Sequence, residues 1–98
     1  MTEQTTADAE LVVRANGGDA GAFSALLERH YDTIFRFALR NLANRQDAED
    51  ITQDICVSLA HKLVSFKGRS RFTTWLYQIT LNACRDFRRR VHTRERTY

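Results

Sequence analysis

The chain has 98 residues, 43% of them apolar and 28% charged, with 15 bases, 12 acids and a formal net charge of +3. This is one domain with one modest core, and it is too apolar for a disordered chain. No apolar run exceeds three residues, so no bilayer-spanning segment is expected. The start, Met1 to Thr6, is polar and lacks the apolar stretch of a signal peptide, so a cytoplasmic protein is expected.

The pattern predicts helices throughout, and there is no proline to break one. Residues 1–7 are expected to be disordered. A short helix from Asp8 to Asn16 puts Leu11, Val12 and Ala15 on one side. Asp8 or Thr6 can cap it, and Gly17-Gly18 ends it. Asp19 then caps a longer helix, Ala20 to Leu42. Its apolar face is Phe23, Leu27, Tyr31, Ile34, Ala38 and Leu42, widened by Leu26, Phe35 and Phe37. Asn44 caps a third helix, Arg45 to Lys62, with Ala48, Ile51, Ile55, Leu59 and Leu63 facing inward. Asp47, Glu49 and Asp50 lie in its first turns, where acids stabilise the positive end of the helix dipole. That explanation competes with a docking surface.

The connection from Leu63 to Ser70 contains Gly68, which breaks the helical period, and Ser70, which can cap the next helix. Phe66 in this basic loop has two roles open to it: a lid on the core, or an aromatic face for a base. A fourth helix is predicted from Arg71 to Arg90, with the charged end beyond it fraying. Its apolar side is Phe72, Trp75, Leu76, Ile79, Ala83, Cys84 and Phe87. Its other side carries Arg71, Thr74, Gln78, Asn82, Arg85 and Arg89. The expected fold is all-α, a compact bundle of three long helices and one short N-terminal helix.

Charge is unevenly divided. Residues 1–61 hold five bases and ten acids, a net of −5, while residues 62–98 hold ten bases and two acids, a net of +8. The basic end suits a polyanion; the bland account is a solvated charged tail. Cys56 and Cys84 stand far apart in apolar helical settings and are expected as reduced core thiols. The histidines His30, His61 and His92 show no metal-ligand spacing with them, so no metal is expected. Ser58, Ser65 and Ser70 lack any cue tying them to a base, and there is no phosphate-loop or dinucleotide fingerprint. No catalytic residue and no cofactor are expected; the chain does not look like an enzyme.

Three stretches in order carry a family resemblance. Asp8-Ala-Glu-Leu-Val-Val-Arg-Ala-Asn-Gly-Gly-Asp-Ala-Gly-Ala-Phe23, with Tyr31-Asp-Thr-Ile-Phe-Arg-Phe-Ala-Leu39, is the first. Asp47-Ala-Glu-Asp-Ile-Thr-Gln-Asp54 is the second. Phe66-Lys-Gly-Arg-Ser-Arg-Phe-Thr-Thr-Trp-Leu-Tyr-Gln-Ile-Thr-Leu-Asn82 is the third. Together they resemble region 2 of bacterial RNA polymerase sigma factors of the extracytoplasmic-function (ECF) class, over about Asp8 to Arg90.

The resemblance implies roles. Asp50, Gln53 and Asp54 would dock on the coiled coil of the polymerase β′ clamp, with Asp47 and Glu49 at the rim. The loop would capture a flipped base of the −10 element's non-template strand through Phe66, Lys67, Gly68, Arg69 and Ser70. Arg71, Thr74, Gln78, Asn82 and Arg85 would guide that strand, with Arg88 and Arg89 on duplex phosphates beyond. Trp75 matches a family position, but its relation to Ile79 makes it mostly core. Cys56 and Ala60 stand where the family often has large aromatics, which implies a slimmer core there, filled from Phe37 or Phe87. Residues 91–98 are expected to begin a linker to a further, −35-reading domain absent from this chain. The implied partners are RNA polymerase core, promoter DNA and an anti-sigma factor, with no membrane. The rival from another class is a helical interaction module whose basic end recruits an acidic protein, such as an anti-sigma factor, without DNA. A duplex-binding repressor would show a recognition helix behind a tight turn, and none is evident.

Overall fold

The computed structural model describes the backbone of residues 7–97 and the side chains of residues 7–92. Four helices follow one another: α1 Asp8–Asn16, α2 Ala20–Leu42, α3 Arg45–Lys62 and α4 Phe72–Thr97, with a 3-10 turn at Leu63–Ser65 between the last two. No strand occurs among the described residues. The disorder expected of residues 1–7 falls, Ala7 apart, outside the described residues, and so does Thr6 as a cap. The last helix does not stop at Arg90 but continues to Thr97. Arginine is a good helix former, and the charged run holds no proline or glycine to end the helix.

Local chemistry sets most of the boundaries. Gly18 takes φ +101°, a left-handed conformation that turns the chain out of α1. Asp19 caps α2 by accepting from the Ala22 N–H at 3.1 Å. That bond, with the Arg14 guanidinium at 3.0 Å, holds the Asp19 carboxyl below the usual carboxylate range. Asn44 caps α3 by accepting from the Asp47 N–H at 2.8 Å.

Two expected caps are not made. Ala7 occupies the N-cap of α1 without a side-chain bond, because the Asp8 carboxylate turns to α2 and meets Arg29 and His30. Ser70 donates to the carbonyl of Arg71 at 3.1 Å. Helix α4 starts one residue later than expected, with the Trp75 N–H bonded to that same carbonyl.

Helix α2 is the central element and packs against each of the other three. Its buried row is Ala22, Leu26, His30, Ile34 and Ala38. The face expected around Phe23, Leu27 and Tyr31 is therefore rotated, and those three are half-buried flanks. The face was wide, and only the neighbours decide which row within it lies deepest. Helix α4 has a matching row, Phe72, Leu76, Thr80 and Cys84. Rows at i, i+4 are the ridges that interlock when helices pack. Helix α3 contributes Ala48, Ile51, Thr52, Ile55 and Leu59, and Leu63 comes next in the chain.

Two threonines sit in this core at 0% exposure. Each hydroxyl is satisfied by the carbonyl one turn back: Thr52 to Ala48 at 2.6 Å and Thr80 to Leu76 at 2.9 Å. Ala60 is exposed and Cys56 half-buried, so neither position is central to the core. Both fall on the flank of the α3 row. Phe37 does not go to that flank; it stacks on Tyr77, with ring centroids 5.4 Å apart. Both cysteines are free thiols; Cys84 is buried, and burial pushes both thiols up.

Candidate nucleic-acid and protein interfaces

The loop between α3 and α4 is tied down at its start. The Leu63 carbonyl accepts from the Phe66 N–H at 3.1 Å and from the Asn16 side chain of α1 at 3.3 Å. Ser65 donates to the Lys62 carbonyl at 2.6 Å. Phe66 turns inward and meets Phe72 edge-on, with centroids 5.5 Å apart, and Trp75 at 5.2 Å. Its ring is half-buried in this aromatic cluster, so the core-lid role is realised. Gly68 then takes φ +74°, a conformation that disfavours any side chain. Lys67, Gly68, Arg69, Ser70 and Arg71 are all exposed.

A cleft of about 390 Å³ opens here, with Phe66, Gly68, Ser70, Arg71, Phe72 and Asp8 among its lining residues. The loop supplies one wall and the start of α4 the floor. Asp8 of α1 supplies a wall that sequence reasoning did not assign to the site. Asp8 is fixed by two contacts, 2.8 Å to Arg29 Nη1 and 3.0 Å to His30 Nε2. The His30 ring lies 5.2 Å from that of Phe72 and so backs the cleft floor. His30 is only 7% exposed. The signal was present in the spacing Leu26, His30, Ile34, Ala38, but a histidine in an arginine-flanked stretch did not read as core.

Arg71, just before α4, and Thr74, Gln78, Asn82, Arg85 and Arg89 along it are exposed on one side. They fall opposite the buried row, because the helical step of 100° puts them on the far face. Gln78 donates to Asn82 at 3.5 Å, and Arg89 sits 3.5 Å from Asp86. Arg88 leaves this stripe: its Nη1 donates to the Asn41 carbonyl near the end of α2 at 3.0 Å. The two neighbouring arginines therefore face different directions.

The acidic residues of α3 divide as well. Asp50, Gln53 and Asp54 are exposed, and Asp47 and Glu49 are half-buried. Glu49 and Gln53 line a cleft of about 430 Å³ with Tyr31, Asp32 and Phe35 of α2 and with Arg45. Arg45 spans this cleft, 3.5 Å from Glu49 and 5.2 Å above the Phe35 ring. Asp50 stands on the crest of the helix and accepts from Gln46 at 3.0 Å. Asp47 and Asp54 do not line the cleft; their helical positions put them beyond the crest. The sequence does not mark the α2 wall, because Tyr31 and Phe35 read as core and Asp32 carries no cue to a site. Among the described residues, no cluster of histidines, cysteines or acids could hold a metal.

The chain is similar to known proteins in sequence and in shape. Residues 26–95 match the family described as Sigma-70 region 2. The chain is 34% identical over 87 residues to the ECF RNA polymerase sigma-E factor of Haemophilus influenzae, covering 89% of this chain and 45% of that protein. It is 36% identical over 84 residues to the ECF RNA polymerase sigma factor SigM of Mycobacterium tuberculosis, covering 86% and 43%. The chain thus spans less than half the length of these relatives. In shape it is similar to an engineered region 2 of sigmaE, solved by NMR in a complex with GTAAAA. The TM-score is 0.86 at 31% identity, covering 96% of this chain and 97% of that one.

Proposed function

The chain belongs to the Sigma-70 region 2 family, and from that premise we propose that it is a promoter-specificity domain of an ECF sigma factor. It docks on RNA polymerase and captures the melted −10 element of the non-template strand. The observation that carries this reading is the cleft at the start of α4, walled by Phe66, Gly68, Ser70, Arg71 and Asp8. It is open, partly aromatic, and continuous with the exposed polar stripe of α4. A base taken out of a stack needs such a pocket. Arg69, Arg71 and Arg85 supply phosphate contacts that position the strand. Lys67 is held to the Val64 carbonyl at 3.2 Å, so it also stiffens the loop. The domain catalyses nothing in this scheme. It binds single strand better than duplex and so shifts the duplex–bubble equilibrium toward open.

The α3 face is the proposed polymerase contact. Asp50, Gln53 and Asp54 are presented to the basic side of a β′ coiled coil, and Asp47 and Glu49 border them. The exposed valines Val13, Val57 and Val64 add apolar surface for a further protein partner, proposed as an anti-sigma factor. No helix among the described residues is long and apolar enough to cross a membrane, and the proposed work is done beside polymerase in the cytoplasm.

The test is binding of labelled GTAAAA, the sequence bound by the similar sigmaE region 2, as single strand and as duplex. Tighter binding of the single strand is expected; equal binding of the duplex would remove the melting role. Replacing Asp50 and Gln53 together by alanine is expected to weaken docking on a β′ coiled-coil fragment while the helical circular dichroism is unchanged. Undiminished docking would remove the assignment of that face.

A further inference from the structure

We infer that the seam between α2 and α4 holds a second nucleotide of the same single strand, its base on Tyr77 and its phosphate between Arg36 and Arg40. The inference rests on the reading above, that a strand lies along α4. A cleft of about 380 Å³ is lined by Thr33, Arg36, Phe37 and Arg40 of α2 and by Tyr77 of α4. None of these residues belongs to the capture loop or to the polar stripe.

The chemistry of the cleft is that of a single-strand site. Phe37 and Tyr77 are stacked at 5.4 Å and 25°, so Phe37 supports one side of the phenol ring. Tyr77 is nevertheless 42% exposed, which makes it a rigid aromatic platform at the surface. Arg36 and Arg40 are one helical turn apart and both exposed. Neither has an ion pair or hydrogen bond among the described residues. Paired cations beside a supported ring are what single-stranded nucleic acids use: stacking for the base, charge for the backbone.

Position gives the same answer. Thr73 lines the capture cleft and Tyr77 lines this one. The two are four residues apart, so they share a flank of α4 and are separated by about 6 Å along its axis. On α2, likewise, Arg29 contacts Asp8 at the capture cleft, and Thr33, four residues on, lines the second cleft. Successive nucleotides of a stacked strand rise by about 3.4 Å. A base held in the capture cleft therefore puts a neighbour one or two nucleotides away at Tyr77. An acidic peptide would use the two arginines but would have no need of the stacked ring.

The experiment uses the full chain and a ten-nucleotide strand, GTAAAA extended by two nucleotides at each end. Affinity is read by fluorescence anisotropy at several salt concentrations. Arg36→Ala with Arg40→Ala is expected to reduce the salt slope of log affinity by about 0.7, the contribution of the one single-strand phosphate the pair would hold. Tyr77→Leu is expected to lower affinity by roughly tenfold with the slope unchanged, and Tyr77→Phe to retain binding. Thermal melting checks that each variant folds. A 2-aminopurine at the captured position should report the same flipped environment in the bound arginine variant as in the parent. The inference is overturned if all three variants bind the strand as the parent does while Arg69→Ala with Arg71→Ala binds it weakly; the proposed function then stands without it. It is also overturned if the arginine variant loses docking on the β′ fragment but not strand binding. If the parent itself binds no single strand, the function and the inference fall together.

Discussion

His30 lies in the core of α2 with its Nε2 3.0 Å from Asp8, and its ring rests against Phe72. A polar ring so deeply placed needs its partner, because a buried nitrogen left without a hydrogen bond keeps the full cost of its desolvation. Asp8→Ala is therefore expected to destabilise the domain by about 1–3 kcal/mol, read from urea unfolding. It should also loosen the Phe72 floor of the capture cleft and weaken strand binding, although Asp8 lies far from the capture loop in sequence. A loss of strand affinity without a loss of stability would mean that Asp8 touches the base itself. Asp19 gives a pH prediction with a definite sign. Its folded-state pKa is lowered by the Ala22 N–H and by Arg14. The stability it contributes is complete above the ordinary carboxylate value of about 4 and is lost as pH falls through the lower folded value. Acid titration of Asp19→Asn should show a shallower loss of stability in that window than the parent.

At the scale of elements, the bundle is assembled from short-range signals and then locked by rows four residues apart. Gly17-Gly18 and the two caps, Asp19 and Asn44, lie where the expected boundaries of α1, α2 and α3 fall. Such signals act within one turn, so they can be read without knowing any neighbour. The end of α4 had no stop signal, and the helix runs on to Thr97. The loop before α4 depends on Gly68 at φ +74°. Beyond the adjoining residues, no atom lies within 4 Å of where a Cβ would stand, so the cost of Gly68→Ala is conformational and not steric. That cost is expected to be about 1 kcal/mol. Because the strain falls on the cleft wall, strand affinity should drop while docking through α3 is unchanged. Equal loss of both activities would show that the substitution disturbs the whole bundle.

Across the whole molecule, the charge division of −5 and +8 between the two parts of the chain corresponds to the two faces proposed as interfaces. The acidic one is on α3, and the basic one is the loop with α4. Strand binding should be strongly salt-dependent. If four phosphates are neutralised, raising salt from 50 to 200 mM lowers affinity by on the order of fifty-fold. A weak dependence would mean that stacking, not charge, carries the contact.

What the sequence by itself determined is the set of helices, the caps Asp19 and Asn44, and the polar stripe from Arg71 to Arg89. These arise from period and local chemistry, which travel with the chain. The family resemblance implies interface roles for Asp50, Gln53 and the loop from Phe66 to Ser70. Only the tertiary structure decided which row of α2 is deepest, that His30 and Asp8 pair beneath the capture cleft, and that Arg88 turns away from Arg89. It also decided that Tyr77 meets Phe37 beside Arg36 and Arg40. Each of these depends on which helix lies next to which. A helical pattern shows that a face is apolar or basic; a cleft exists only when two such faces are brought together.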